Sequence, residues 1–227
     1  MSIVFSGTGR YLPEEVIGDE NFAEHEFYNS DGTRIDLPNK KIIDKFKSIT
    51  GIEHRRYVTK HQTTSDIGII AAEIAVRDAG IDPETLDGII FAHNYGDVKK
   101  GNIQSDTVPS LASRVKQALK IKRPSCVAFD VMFGCPGWIQ SVIIANQFLQ
   151  NGAFKKYLIV GAETLSRVSD PHDRDSMIYA DGAGASVLEW LPGNDNGILS
   201  VCSQSHTYGE TYFLYFGESF KQGYMPE

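Results

Sequence analysis

The sequence predicts an α/β fold with mainly parallel strand pairing. Three observations carry this. Apolar runs short enough for strands alternate with longer stretches of helical periodicity, in the order strand–helix–strand–helix–strand–helix–strand. The runs Gly88–Ala92 and Tyr157–Gly161 are continuously apolar, as strands covered on both faces are. The chain is long enough at 227 residues, and apolar enough at 41%, to bury a substantial core.

Ile3 to Gly9 reads as a strand entering a glycine-rich turn. Residues 18 to 39 are polar and broken by Asp31-Gly32 and Pro38, which predicts an irregular segment. A short helix is expected over Asn39–Ser48, with Ile42, Ile43 and Phe46 on one side, then a strand through Arg55–Val58. Thr64 or Ser65 caps a helix whose Ile67, Ile70, Ala71, Ile74 and Ala75 recur at helical spacing and which closes at Gly80. After the Gly88–Ala92 strand, the polar stretch His93–Thr107 has a length that in compact domains is often functional. Ser110–Leu119 is helical.

Ser125–Phe129 reads as a buried strand, followed by a loop with Gly134 and a helix from Cys135-Pro136 to about Asn151, ending at Gly152. Apolar residues around most of its circumference, Trp138 to Leu149, predict burial on nearly all sides. Further strands are expected at Tyr157–Gly161 and Gly184–Trp190. The PGNDN break at Pro192–Asn196 divides residues 1–191 from a new unit, 192–227, with strands at Ile198–Cys202 and Tyr212–Phe216. No internal repeat and no low-complexity tract is visible.

A net charge of −7 and a pI near 5.4 argue against nucleic acid as a main partner. Basic clusters at Lys40–Lys41, Lys99–Lys100 and Lys120–Arg123 are either solvated surface or a greeting for an acidic carrier or a nucleotide phosphate. No stretch is long and apolar enough to span a membrane, and no signal segment opens the chain. The three cysteines, Cys126, Cys135 and Cys202, make neither a disulfide framework nor a zinc site. A cytoplasmic protein without a metal or other cofactor is the expectation.

Cys135 is the nucleophile candidate. The unpaired N–H groups and positive dipole end of a helix start favour a thiolate over a thiol, and a backbone N–H there can receive an oxyanion. The competing reading is a free cysteine that fills space. None of the six histidines has a spacing that makes it the base for Cys135. His93 leaves a strand end, where α/β folds keep active residues, or makes an ordinary polar contact. Ser169–Arg174 reads as a hydrogen-bonded loop rather than a metal or phosphate site. The run Asp181–Ala185 lacks the following helix of a dinucleotide fingerprint and reads as close backbone packing at a strand start.

Several segments match one family in the same order. They are Gly7–Pro13; Thr50-Gly51-Ile52 with Arg55-Arg56; Val108-Pro109-Ser110; Phe129-Asp130 leading to Cys135 and Gly137; Gly161-Ala162-Glu163; Asp170-Pro171 with Asp173-Arg174; Asp181–Ala185; and Tyr208-Gly209-Glu210. Over almost its whole length the chain resembles the β-ketoacyl-acyl-carrier-protein synthase III group of condensing enzymes. That resemblance implies the thiolase-like layered α/β/α fold, with a mainly parallel mixed sheet.

It further implies that Cys135 takes an acyl group as a thioester. A malonyl thioester is then decarboxylated, and its carbanion attacks the acyl group to give a β-ketoacyl thioester. Val108, Phe133, Trp138 and Arg174 would bind substrate, Val108 on a loop reaching across a homodimer into the partner's acyl pocket. The partners implied are acyl carrier protein, acyl-coenzyme A or both.

Where many members grip coenzyme A with Trp and Arg, this chain has Lys45 and Ile49, which favours a carrier-protein donor. The FGCPGW context of Cys135 also departs from the usual small residues and points to a specialised condensing enzyme. The resemblance places the remaining catalytic His and Asn in a second half that this sequence enters only briefly. The rival expectations are accordingly a non-catalytic, thiolase-like half that serves as a structural or dimerisation partner, or another condensing activity of the superfamily.

Overall fold

The computed structural model describes residues 2–102, 104–193 and 196–225; Asn194 and Asp195 of the expected break, and the last two residues of the expected second unit, lie outside them. In chain order the strands are β1 (Ser2–Tyr11), β2 (Glu15–Ile17), β3 (Arg55–Tyr57), β4 (Gly88–Ala92), β5 (Val127–Val131), β6 (Lys156–Thr164) and β7 (Asp181–Leu191). The helices are α1 (Asn39–Thr50), α2 (Thr64–Ala79), α3 (Leu111–Ala118) and α4 (Gly137–Gln150).

Five strands form one sheet in the order β1-β7-β6-β4-β5, while β2 and β3 pair separately as an antiparallel ribbon. β4 is parallel to both β5 and β6, and β7 is antiparallel to both β6 and β1. β1 therefore points the same way as β4, β5 and β6, and β7 alone is reversed. The expected mixed α/β sheet forms, with four of its five strands pointing one way but only two of its four pairings parallel.

Successive side chains of a strand face opposite ways, and the core splits accordingly. Ile89 and Phe91 of β4, with Leu158, Val160 and Ala162 of β6, pack beneath α2 and α3. Ile90, Tyr157 and Ile159 face Val142, Ala145 and Leu149 of α4 on the other side. The result is three layers. α2 lies so close to β1 that a Cβ on Gly9 would strike the Ala71 carbonyl oxygen, so only glycine fits there.

The structure corrects several local expectations. Thr63, not Thr64 or Ser65, caps α2, its N–H donating to Asp66 Oδ2 at 2.8 Å. Ser65 is committed elsewhere: its N–H and hydroxyl donate to the buried Asp97 at 2.7 and 2.6 Å. β5 starts at Val127 because its register with β4 sets Gly88 opposite that residue, leaving Ser125 and Cys126 in the preceding turn.

α4 is not buried on nearly all sides. The sheet covers one face, yet Ile139 stays 56% exposed, and Phe148, stacked on Tyr157 of β6 at 5.6 Å, stays 37% exposed. No strand forms at 198–202 or 212–216 among the described residues. The Ile198 N–H donates to Ile3 O at 2.9 Å, but a strand without a partner edge leaves its backbone to water.

Candidate active site

Three segments converge where the parallel strands end. Ala92 at the end of β4 lies between Val131 of β5 and Gly161 of β6. Carboxyl ends of parallel strands are where open α/β sheets hold ligands, and a cleft of about 470 Å³ opens here. Its wall takes Gly9 from β1, Asn94 from the loop after β4, Trp138 from α4, Glu163 from β6 and Gly184 from β7.

Cys135 lines this cleft and is exposed. It sits in the turn just ahead of α4 rather than in the helix, with Pro136 at the N-cap. Gly134 adopts φ +70°, a left-handed value that disfavours other residues, and its carbonyl accepts the Gly137 N–H at 3.0 Å. The sulfur is therefore presented by a tight turn feeding directly into a helix start, and it is not sealed into the core.

His93 is not its base. The Gly96 N–H donates to Nδ1 at 2.9 Å, so the proton resides on Nε2, which donates to Asp130 Oδ2 at 3.0 Å. Asp130 also accepts the N–H groups of Leu111 and Ala112, both at 2.8 Å, at the start of α3. Both ring nitrogens of this buried histidine are committed to the scaffold.

Two residues at the site carried no role in the sequence reading. Glu163 Oε2 accepts both the backbone N–H and the side-chain amide of Asn94, at 2.7 and 3.0 Å. Asn94 Oδ1 in turn accepts the Gly134 N–H at 3.0 Å. Glu163 Oε1 is buried without a partner, and burial pushes this carboxyl above the usual carboxylate range, against the Asn94 bonds that lower it. The signals available were the Gly-Ala-Glu run at a strand end and a polar residue following β4, but nothing in the sequence joins the two.

Of the expected substrate-binding residues, the structure brings Trp138 into the cleft with Cys135, where it stacks on Phe5 with ring centroids 6.0 Å apart. Phe133 and Val108 lie outside the cleft wall, 39% and 85% exposed. Arg174 also lies outside it, its side chain half exposed beside Asp175. The loop that carries Val108 is pinned at its base by Arg114, which donates to Asp97 at 2.6 Å and to Asp106 at 2.7 Å.

Ser169–Arg174 is a hydrogen-bonded loop, with Asp170 accepting from the His172 and Phe220 N–H groups and the Ser219 hydroxyl. Asp181 opens β7 and accepts from Val58 and Ser166. Among the described residues no three His, Cys, Asp or Glu side chains are grouped to hold a metal, and no helix is long and apolar enough to cross a membrane.

A mixed sheet between helical layers, with a cysteine turn at the carboxyl ends of its parallel strands, is the thiolase-like architecture. The family model described as 3-Oxoacyl-[acyl-carrier-protein (ACP)] synthase III matches residues 129–208. A β-ketoacyl-[acyl-carrier-protein] synthase III from Ruegeria pomeroyi is 36% identical over 203 residues, 87% of this chain and 56% of the relative. One from Clostridium acetobutylicum is 32% identical over 216 residues, 93% of this chain and 57% of the relative.

The crystal structure of 3-oxoacyl-[acyl-carrier-protein] synthase III from Aquifex aeolicus superposes with a TM-score of 0.67 at 31% identity, over 84% of this chain and 54% of that one. The chain is 3-oxoacyl-[acyl-carrier-protein] synthase III-like in both sequence and fold. It spans a little over half the length of the curated relatives it matches.

Proposed function

We propose that this chain carries the nucleophile of a condensing acyltransferase, with Cys135 as the acyl carrier. The observation that supports it most directly is an exposed thiol on a tight turn at the mouth of a cleft large enough for a short acyl group. In the first step the Cys135 sulfur attacks the carbonyl of an acyl thioester. A new C–S bond forms, and the donor thiol departs with the proton. In the second, a malonyl thioester loses carbon dioxide and its α-carbon attacks the acyl-Cys135 carbonyl. A β-ketoacyl thioester leaves and the sulfur is freed.

The donor we favour is an acyl carrier protein over acyl-coenzyme A, since Lys45 and the 72%-exposed Ile49 offer no stacking surface for an adenine. The working compartment in this reading is the cytoplasm. Val108 and Phe133 belong to the surface that a second copy would cover: β5 is an edge strand, and Val127, Met132 and Phe133 leave apolar area exposed beside it. In a homodimer Val108 would reach into the neighbouring acyl pocket, while Phe133 and Arg174 would bind substrate. Residues 192–227 begin a second unit in this reading, and the exposed Ile139 on α4 is where that unit would pack.

Incubation with acyl carrier protein or acyl-coenzyme A followed by intact mass measurement tests the reading. The acyl mass should appear on the wild-type chain and vanish in Cys135→Ala. A chain that dimerises by light scattering while its Cys135 accepts no acyl group would instead be the structural partner weighed against it.

A further inference from the structure

We infer that Glu163, acting through Asn94, is a positioning residue that holds the Cys135 turn in register for acyl transfer; this rests on the reading of Cys135 as acyl carrier. The geometry is a relay of hydrogen bonds across the three segments that meet at the cleft. One carboxylate oxygen of Glu163, on β6, takes the backbone N–H and a side-chain amide N–H of Asn94. With its amide nitrogen turned to the carboxylate, Asn94 must direct Oδ1 the other way, and there it takes the Gly134 N–H at 3.0 Å.

Gly134 is the residue before the nucleophile, at a left-handed φ that the chain does not hold by preference outside glycine. Anchoring its N–H fixes the peptide plane one residue ahead of Cys135, and the Gly137 N–H to Gly134 O bond closes the turn on the other side. Glu163 thus decides which way Asn94 points, and Asn94 decides where the turn stands.

A buried carboxyl is a costly way to anchor a loop, and here its second oxygen gains nothing from protein partners. What a fixed turn adds is placement of the sulfur: acyl transfer requires the attacking atom at near-attack distance with the carbonyl oxygen held, and displacement of about 1 Å costs on the order of a hundredfold. Alkylation of an exposed thiol by iodoacetamide makes no such demand, because the small reagent chooses its own approach.

The test compares both reactions on the full chain, by peptide mapping of Cys135. In Glu163→Ala and Asn94→Ala, the rate of acylation by an acyl thioester should fall about tenfold or more, while iodoacetamide alkylation of Cys135 stays within about twofold of wild type. Glu163→Gln keeps a carbonyl acceptor for Asn94 and should recover most of the acylation rate. Protection of the buried Cys126 from alkylation reports folding in every variant.

Acylation at the wild-type rate in both alanine variants overturns the proposal. So does a parallel loss of acylation and alkylation, or loss of Cys126 protection in both, since each makes the relay a stability element only. A wild-type chain that takes no acyl group instead overturns the acyl-transfer reading itself.

Discussion

The sheet body and the segment after residue 196 contain similar residues and do opposite things with them. Leu158, Ile159 and Val160 on β6 are wholly buried, whereas Leu199, Tyr212 and Phe213 are 91%, 80% and 83% exposed. Both stretches have strand-forming composition. The difference is the neighbour: β6 has β4 on one edge and β7 on the other, while the later segment meets β1 at the Ile198 N–H without pairing as a strand. Strand propensity describes a side chain that fits a pleated, half-buried surface. Without a sheet edge and a packing layer it decides nothing.

The sharpest way to break this comparison is to make the same substitution in both regions. Leu158→Ala empties a site with no exposed area and should destabilise the fold by about 2–5 kcal/mol. Leu199→Ala should change stability by no more than about 0.5 kcal/mol. Urea unfolding midpoints at constant slope measure both. Equal effects would mean that the 196–225 segment carries packing this structure does not show.

The same contrast explains what could be read from the sequence. β4 was legible to the residue, because a fully buried parallel strand is a continuous apolar run between turn signals. The Cys135 turn was legible too, since Gly134, Pro136 and Gly152 mark its helix at both ends. Periodicity could not show that α4 keeps an open face, for it reports which residues are apolar and not what lies over them.

The cap of α2 was misplaced because Ser65, a good cap by type, is held by Asp97, 32 positions away. Glu163 and Asn94 were invisible as a pair for the same reason: 69 positions separate them, and only the parallel alignment of β4 with β6 brings them together. Long-range polar contacts leave no local signature. Arg174, marked only by resemblance, stands away from the cleft that Cys135 lines.

Acid sharpens the comparison from another side. Burial pushes the Asp181 carboxyl above its ordinary value of 3.8, although the Ser166 and Val58 bonds work the other way. A raised folded value means that the folded body binds this proton more tightly than the unfolded chain does. Its contribution to stability is therefore fully present below pH 3.8 and is lost as pH rises through the folded value. Against Asp181→Asn, which does not titrate, the stability of the wild-type chain should decline as pH rises from about 3.5 to 7, a span fixed by carboxyl titration. Unfolding curves for both chains at several pH values check the sign. A difference that grows with pH would place the carboxylate, not the acid, as the favoured form in the fold.

The later segment is tied to the body by Ile198, by the Phe216 ring against Tyr95 and Tyr179, and by a set of polar contacts whose loss should be felt only locally. The Lys221 amine donates to Glu26 at 2.7 Å, Ser219 and Phe220 bond Asp170, and Tyr224 meets the edge of His172 at 4.6 Å. The hydrogen bond from Lys221, and then its charge, hold the Glu26 carboxyl below the usual range, so the contact is present above the ordinary carboxylate pKa and is lost as pH falls through the lowered value. An exposed pair of this kind contributes little to global stability. Lys221→Ala should leave the urea midpoint of the body unchanged and yet speed limited proteolysis within residues 196–225. If the midpoint moved with the cleavage rate, the two regions would unfold as one cooperative unit, and the distinction between a packed body and a tethered segment would fail.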